Sequence, residues 1–305
     1  MSFTAAYRQL GVEELRKRVR ESYRRLRSCD LCPRRCGVNR LKNETGVCHA
    51  GREVEVSSFN PHFGEEAPLV GTHGSGTIFF AHCTLKCVFC QNYEISHLGI
   101  GEPVRIEDLS RMMLALQRIG CHNINLVSPT HYVPQILAAL LKAMDQGLTL
   151  PLVYNTGGYE SLETLELLDG VVDIYMPDFK YANPKTAAKY SAAKDYPDAV
   201  KKALKEMQRQ VGDLSLDQRG IATRGLLVRH LVLPDNLAGT EEVLQFLASE
   251  VSPRCFINIM DQYYPAYRAL EFPPLNRRIT MAEYRAAVDA ARKKGLRVYP
   301  ENFEI

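Results

Sequence analysis

The chain has 305 residues, 46% of them hydrophobic, enough for one large domain with a small appendage. Its formal net charge is +3 and its pI near 8.3, a balance that argues against nucleic acid or a membrane surface as a partner. No apolar run approaches the roughly 20 residues that cross a bilayer, and the N-terminus lacks the apolar core of a signal peptide, so the expected location is the cytoplasm.

Nine cysteines are too few for a disulfide scaffold at this length. Seven of them fall into two groups, Cys29/Cys32/Cys36/Cys48 and Cys83/Cys87/Cys90, which reads as metal ligation. Cys121 and Cys255 stand alone beside apolar runs and read as small buried hydrophobes.

In chain order, residues 1–28 predict one amphipathic helix, with Leu10, Val12, Leu15, Val19, Tyr23 and Leu26 at helical spacing. The basic residues between them are diluted by Glu13, Glu14 and Glu21, so a solvated face packed on the main domain is expected. The quartet Cys29, Cys32, Cys36 and Cys48 follows, with turn residues Pro33, Gly37 and Gly46 among its members. Four closely spaced thiolates predict a closed, four-coordinate site with a structural rather than catalytic role. Zinc and a second iron–sulfur cluster both accept four thiolates, and the spacing leaves both open. Residues 54–59 predict a strand or hairpin. A Gly/His/Pro-rich loop comes next, and its His62 and His73 carry no assigned role.

An apolar run at 77–81 then ends in Cys83-x3-Cys87-x2-Cys90, with Phe89 before the last cysteine. Three thiolates in one loop can wrap a small inorganic cluster while leaving one coordination position open, and an open position suits chemistry. A zinc loop that borrows His82 or His97 as its fourth ligand is the alternative. This triplet resembles the signature of the radical S-adenosylmethionine (SAM) superfamily. The resemblance implies three irons of a 4Fe–4S cluster on the thiolates and the fourth chelated by SAM. It also implies reductive cleavage to a 5′-deoxyadenosyl radical.

From residue 76 short apolar runs at 77–81, 123–127, 150–154, 171–176, 226–233 and 256–260 alternate with helical patterns at 106–119, 131–146, 159–168, 182–208, 240–250 and 281–294. A last run at 296–299 predicts an edge strand. Strand–helix alternation predicts parallel strands covered by helices. Six such units are fewer than a closed eight-fold barrel needs. The expected fold is therefore α/β, a partial (βα)6 barrel over residues 76–305, with a helix and four-cysteine metal-binding segment over residues 1–75. The resemblance implies the same barrel.

In this architecture chemistry sits at the carboxyl ends of the strands. Those ends carry the cysteine triplet, Ser128-Pro-Thr130-His131, Asn155-Thr156, Asp178-x-Lys180, Arg229-His230 and Asn258 to Tyr263. Cys87-Val-Phe-Cys90-Gln-Asn, Asp178-x-Lys180 and Val228-Arg-His-Leu-Val-Leu-Pro234 resemble the subgroup containing pyruvate formate-lyase-activating enzyme. Motif order agrees over residues 29–264 and is weakest at 182–220. By that resemblance Asp178 accepts from the SAM ammonium, Lys180 pairs with its carboxylate, and Asn155 and Thr156 face the ribose or methionine. The subgroup's Gly-Gly-Glu after the second strand is replaced by Ser128-Pro-Thr-His131, which has no carboxylate. Amino-group binding then falls to backbone carbonyls, Ser128, Thr130 or Asp178. His131 and His230 read as buried, satisfied histidines.

The leading expectation is a radical SAM enzyme that installs a glycyl radical on a partner protein. Its electron donor would be a low-potential flavodoxin or ferredoxin. Radical modification of a small molecule or peptide over the same rim, beside Tyr132, Tyr159, Tyr263 and Tyr264, is one alternative. A non-catalytic zinc-binding interaction module is another.

Overall fold

The computed structural model describes residues 3–299. Two helices open it, α1 (Ala6–Leu10) and α2 (Val12–Arg25). The single helix expected here breaks at Gly11, whose φ of +85° lies in the region that favours glycine. The quartet segment runs on without regular structure beyond one turn at Arg40–Lys42. Next the strand expected at 54–59 is β1 (Val54–His62), which pairs antiparallel with β2 (Ser75–Phe80), the first strand of the barrel, with α3 (Ala67–Val70) in the long connection. After the cysteine triplet come α4 (Tyr93–Ser96) and β3 (Glu102–Val104), and β3 pairs antiparallel with β1.

Strand–helix alternation then proceeds through α5 (Ile106–Ile119), β4 (Ile124–Val127), α6 (Val133–Asp145), β5 (Leu152–Thr156), α7 (Leu162–Leu168) and β6 (Ile174–Pro177). The helix expected over 182–208 is two, α8 (Pro184–Ser191) and α9 (Tyr196–Val211). Ala192 adopts a left-handed φ of +51°, and Pro197 opens the second helix, so one continuous helix could not form. A two-residue strand β7 (Ser215–Leu216), β8 (Ala222–Leu231), α10 (Thr240–Phe246), β9 (Phe256–Met260), α11 (Met281–Lys293) and β10 (Arg297–Tyr299) complete the chain. Helix starts are specified locally. Ser161 caps α7 by accepting from Thr164 N–H, and Thr280 with Glu283 forms a reciprocal capping box on α11.

The strands form one sheet in the order β10-β9-β8-β6-β5-β4-β2-β1-β3, with β7 beside β8. Every pairing from β2 across to β10 is parallel, and β3 and β10 lie at its two edges. The fold is α/β with a mostly parallel sheet, six strand–helix units and open edges, as in a partial barrel. Side chains alternate across each strand. One face carries the main core under the helices. On the other face Val153, Ile174, Met176, Leu227 and Phe256 gather with Leu69 and Leu214. Strands β5, β6, β8 and β9 thus curl around the segment that carries α3.

The chain before residue 76 shares this sheet and this core. Tyr7 and Leu15 are fully buried within it, Ala6 N–H donates to Asp173 Oδ1 at 2.8 Å, and Tyr7 Oη donates to the Leu150 carbonyl at 3.0 Å. No helix among the described residues is long and apolar enough to cross a membrane.

Candidate active site at the strand ends

Strand β2 is almost wholly buried and delivers the chain to the rim at Ala81. There His82 takes a left-handed φ of +71° and turns the backbone into the cysteine loop. Backbone bonds pin that loop: Lys86 N–H to the Ser191 carbonyl at 3.1 Å and Val88 N–H to the Tyr190 carbonyl at 2.9 Å. Phe89 is buried edge-on against Tyr181 and Tyr263. The aromatic position therefore anchors the loop to the barrel. Cys87 Sγ lies 2.9 Å from Ser191 Oγ, and Cys90 Sγ 3.1 Å from Ser96 Oγ. Burial raises the Cys83 thiol and pushes Cys87 up to about 12, with Lys180 opposing the shift at both.

The donor set fits three iron ligands with one position left over. His97 Nε2 lies 3.0 Å from the Cys87 carbonyl and His82 Nε2 lies 3.2 Å from Glu55 Oε2. One ring nitrogen of each candidate for a fourth protein ligand is thus engaged away from the triplet.

Beside the triplet lies a cavity of about 210 Å³, lined by Cys87, Cys90, Phe89, Asp178, Lys180, Arg229 and Met260 among others. Asp178, just past β6, accepts from Lys180 Nζ at 2.6 Å and from Arg229 Nε at 2.8 Å. Burial alone would raise its carboxyl, but the two cations outweigh burial and hold it below the usual aspartate value. Burial disfavours the Lys180 ammonium, and Asp178 and Cys87 more than offset that. Arg229 also donates to Asn155 Oδ1 at 2.8 Å. Behind it stand Glu65 and Glu66, at 3.6 and 4.0 Å. Asn258 donates to Glu66 at 3.0 Å. Burial pushes Glu65 up to about 7 despite Arg229. Asn125 lies near enough to lower Glu65 slightly, yet neither of its side-chain atoms completes a hydrogen bond.

The structure brings Cys87, Cys90, Phe89, Asp178 and Lys180 to one cavity, with Asn155 attached through Arg229. Thr130 and Thr156 go elsewhere. Both hydroxyls donate to the buried Glu160, which also accepts from Tyr154 at 3.1 Å. Burial pushes Glu160 up to about 7. Ser128 holds a left-handed φ of +56° and ties β4 to β5 through its N–H, 2.8 Å from the Asn155 carbonyl. Tyr132, Tyr159 and Tyr263, expected at a substrate rim, are buried, and Tyr264 alone of the four is exposed. The sequence named Arg229 at a strand end without a role and gave no sign of Glu65, Glu66 or Glu160. Arg229 stood out there as a cation inside an apolar run.

The N-terminal quartet lines a separate small cavity of about 10 Å³ together with His131. Arg40, fully buried, donates to the Gly51 carbonyl at 2.8 and 3.0 Å and to the His131 carbonyl at 2.5 Å. Burial raises the Cys32 and Cys48 thiols. Among the described residues no three His, Cys, Asp or Glu side chains close on a single-ion point.

The Radical SAM superfamily model matches residues 77–247. The uncharacterized protein MJ0674 of Methanocaldococcus jannaschii is 33% identical over 280 residues, covering 88% of this chain and 76% of its own. The solved radical SAM methyltransferase from Sphaerobacter thermophilus superposes with a TM-score of 0.51 at 14% identity, over 73% of this chain. The chain spans 64% of that methyltransferase's length, and at that identity the likeness speaks for the fold alone.

Proposed function

The chain belongs to the radical SAM superfamily, and from that premise we propose an enzyme of the activating type, whose hydrogen-atom donor is a glycyl-radical partner protein. Cys83, Cys87 and Cys90 hold the 4Fe–4S cluster in this reading, and SAM lies across Asp178, Lys180 and Arg229. When bound, the two supply reductive cleavage of the sulfonium to a 5′-deoxyadenosyl radical. The observation that carries the reading is the shared cavity: two of the three thiols and the Asp178–Lys180–Arg229 chain of charges face one space.

The chain's own residues then have definite tasks. Lys180, steadied by Asp178, presents an ammonium to the cofactor's carboxylate. Each oxygen of Asp178 receives one donor, Lys180 or Arg229, and keeps acceptor capacity for the cofactor's ammonium. Ser191 and Ser96 donate to the Cys87 and Cys90 sulfurs once these are thiolates. Phe89, Leu231 and Met260 keep water from the reacting face. The departure at Ser128-Pro-Thr-His131 leaves the amino group to Asp178 and to backbone carbonyls, because Thr130 is committed to Glu160. The quartet holds a structural metal, and a low-potential flavodoxin or ferredoxin supplies the electron.

The test is anaerobic reconstitution with iron and sulfide, reduction, and assay of 5′-deoxyadenosine from SAM. The wild type produces it and Cys87→Ala does not. A fully iron-loaded wild type that leaves SAM intact sinks the enzyme reading. A protein-centred radical signal on a co-purified glycyl-radical enzyme supports the activating role. Its absence while SAM is being consumed removes that role.

A further inference from the structure

Arg34 belongs to the quartet segment, yet its guanidinium reaches the other cysteine group. Its Nε donates at 3.1 Å to the carbonyl of Thr84, the residue after Cys83. Nη1 donates to the Ala192 carbonyl, and Nη2 to the Ser191 carbonyl at 3.4 Å. Cζ stands 5.3 Å from the centroid of the buried Tyr159 ring, whose hydroxyl donates to Asp195 Oδ1 at 2.7 Å. A rigid planar fork thus joins the triplet loop to the end of α8.

Helix α8 has eight residues, and the carbonyls of its last turn have no donor within the helix. A cation at that end also suits the helix dipole. What α8 carries there bears on the triplet. Ser191 Oγ lies 2.9 Å from Cys87 Sγ and 2.9 Å from Tyr181 Oη. A thiolate only accepts, so Ser191 gives its hydrogen to the sulfur and Tyr181 gives its own to Ser191. The Ser191 carbonyl also accepts from Lys86 N–H at 3.1 Å, inside the triplet loop. Hydrogen bonds to the sulfurs are one of the levers on a cluster's potential. The reduced cluster is the more negative, so it holds a donor more tightly, and each such bond eases reduction.

We propose that Arg34 is a positioning residue for the triplet's cluster: it holds the end of α8, keeps the Ser191 hydroxyl on Cys87, and so raises the reduction potential. This rests on the reading above that the triplet holds the cluster, and it asks nothing of the quartet.

The test is a redox titration followed by electron paramagnetic resonance, on the full chain reconstituted anaerobically and without SAM. The triplet's signal is the one that Cys87→Ala loses. Ser191→Ala and Arg34→Ala are each expected to lower the reduced-to-oxidised ratio at a fixed potential on the order of tenfold, a midpoint about 59 mV more negative for one electron. The double variant should match Ser191→Ala alone, because Arg34 acts through Ser191. Arg34→Met keeps the stem's packing on Tyr159 without the donors, and it replaces Arg34→Ala should that variant fail to fold. Shifts that add in the double variant overturn the inference, as does an Arg34 variant with the wild-type midpoint. Either result leaves a cluster on the triplet standing. A wild type whose signal Cys87→Ala does not diminish overturns that reading as well.

Discussion

Two histidines show how little a residue's neighbours in sequence say about its task. His131 and His230 each follow a polar residue near a strand end, and both read as satisfied core residues. His230 is satisfied, with Nδ1 2.7 Å from the Phe179 carbonyl and Nε2 3.0 Å from Thr240 Oγ1. His131 has one nitrogen with no partner. The cysteine groups were legible because their spacing is local. Glu160 was not, because its meaning depends on three hydroxyls, Thr130 from the turn after β4 and Tyr154 and Thr156 from β5. It also gives the sharpest test at this scale. Burial pushes its carboxyl up to about 7, so between about pH 4.5 and 7 the folded chain holds a proton that the unfolded chain has lost. Stability falls as pH rises through that window. Glu160→Gln removes that slope, so between pH 5 and 8 the variant gains on the wild type by on the order of 3 kcal/mol. Urea denaturation across this range reads it. Curves that run parallel would show that Glu160 is ionised throughout.

At the level of elements, strands announced themselves by short apolar runs. Each expected parallel strand is present, with ends shifted by a few residues. What stayed hidden was set by partners distant in sequence. Strand β3 is exposed at two of its three positions, Glu102 and Pro103, and exists because β1 offers it an edge. Strand β7 has two exposed residues and leans on β8. The connection between β1 and β2 read as a loop, yet it places Leu69 at the centre of the curled sheet and Glu65 and Glu66 against Arg229. If that segment is a true plug, truncating its apolar tip must behave as a core substitution. Leu69→Ala is expected to cost about 2–5 kcal/mol in chemical denaturation. A surface loop residue would change stability by no more than about 0.5 kcal/mol. The loss should also loosen Glu66 from Asn258 and so reach the site's rear wall.

For the whole molecule, the strand–helix alternation that begins at residue 76 suggested an appendage joined to a barrel. The contacts describe closer union. Arg18 donates to the Leu167 carbonyl at 3.1 Å, capping α7 from outside, and Arg40 reaches His131 on the far side of the quartet. Asp173, at the amino end of β6, is pushed up to about 6 by burial, and the backbone N–H of Ala6 is one of its two hydrogen-bond donors there. Tyr7 discriminates between the two pictures. It is fully buried among barrel residues, so in a shared core Tyr7→Ala should cost about 3–5 kcal/mol, the range for large aromatic truncations. The unfolding transition should stay single, because one core cannot melt in halves. An appendage would instead show an early, separate transition for residues 1–75 while the barrel's midpoint stays where it was. Thermal melts of Tyr7→Ala followed by both circular dichroism and tyrosine fluorescence distinguish these outcomes, since a shared core demands that the two signals move together.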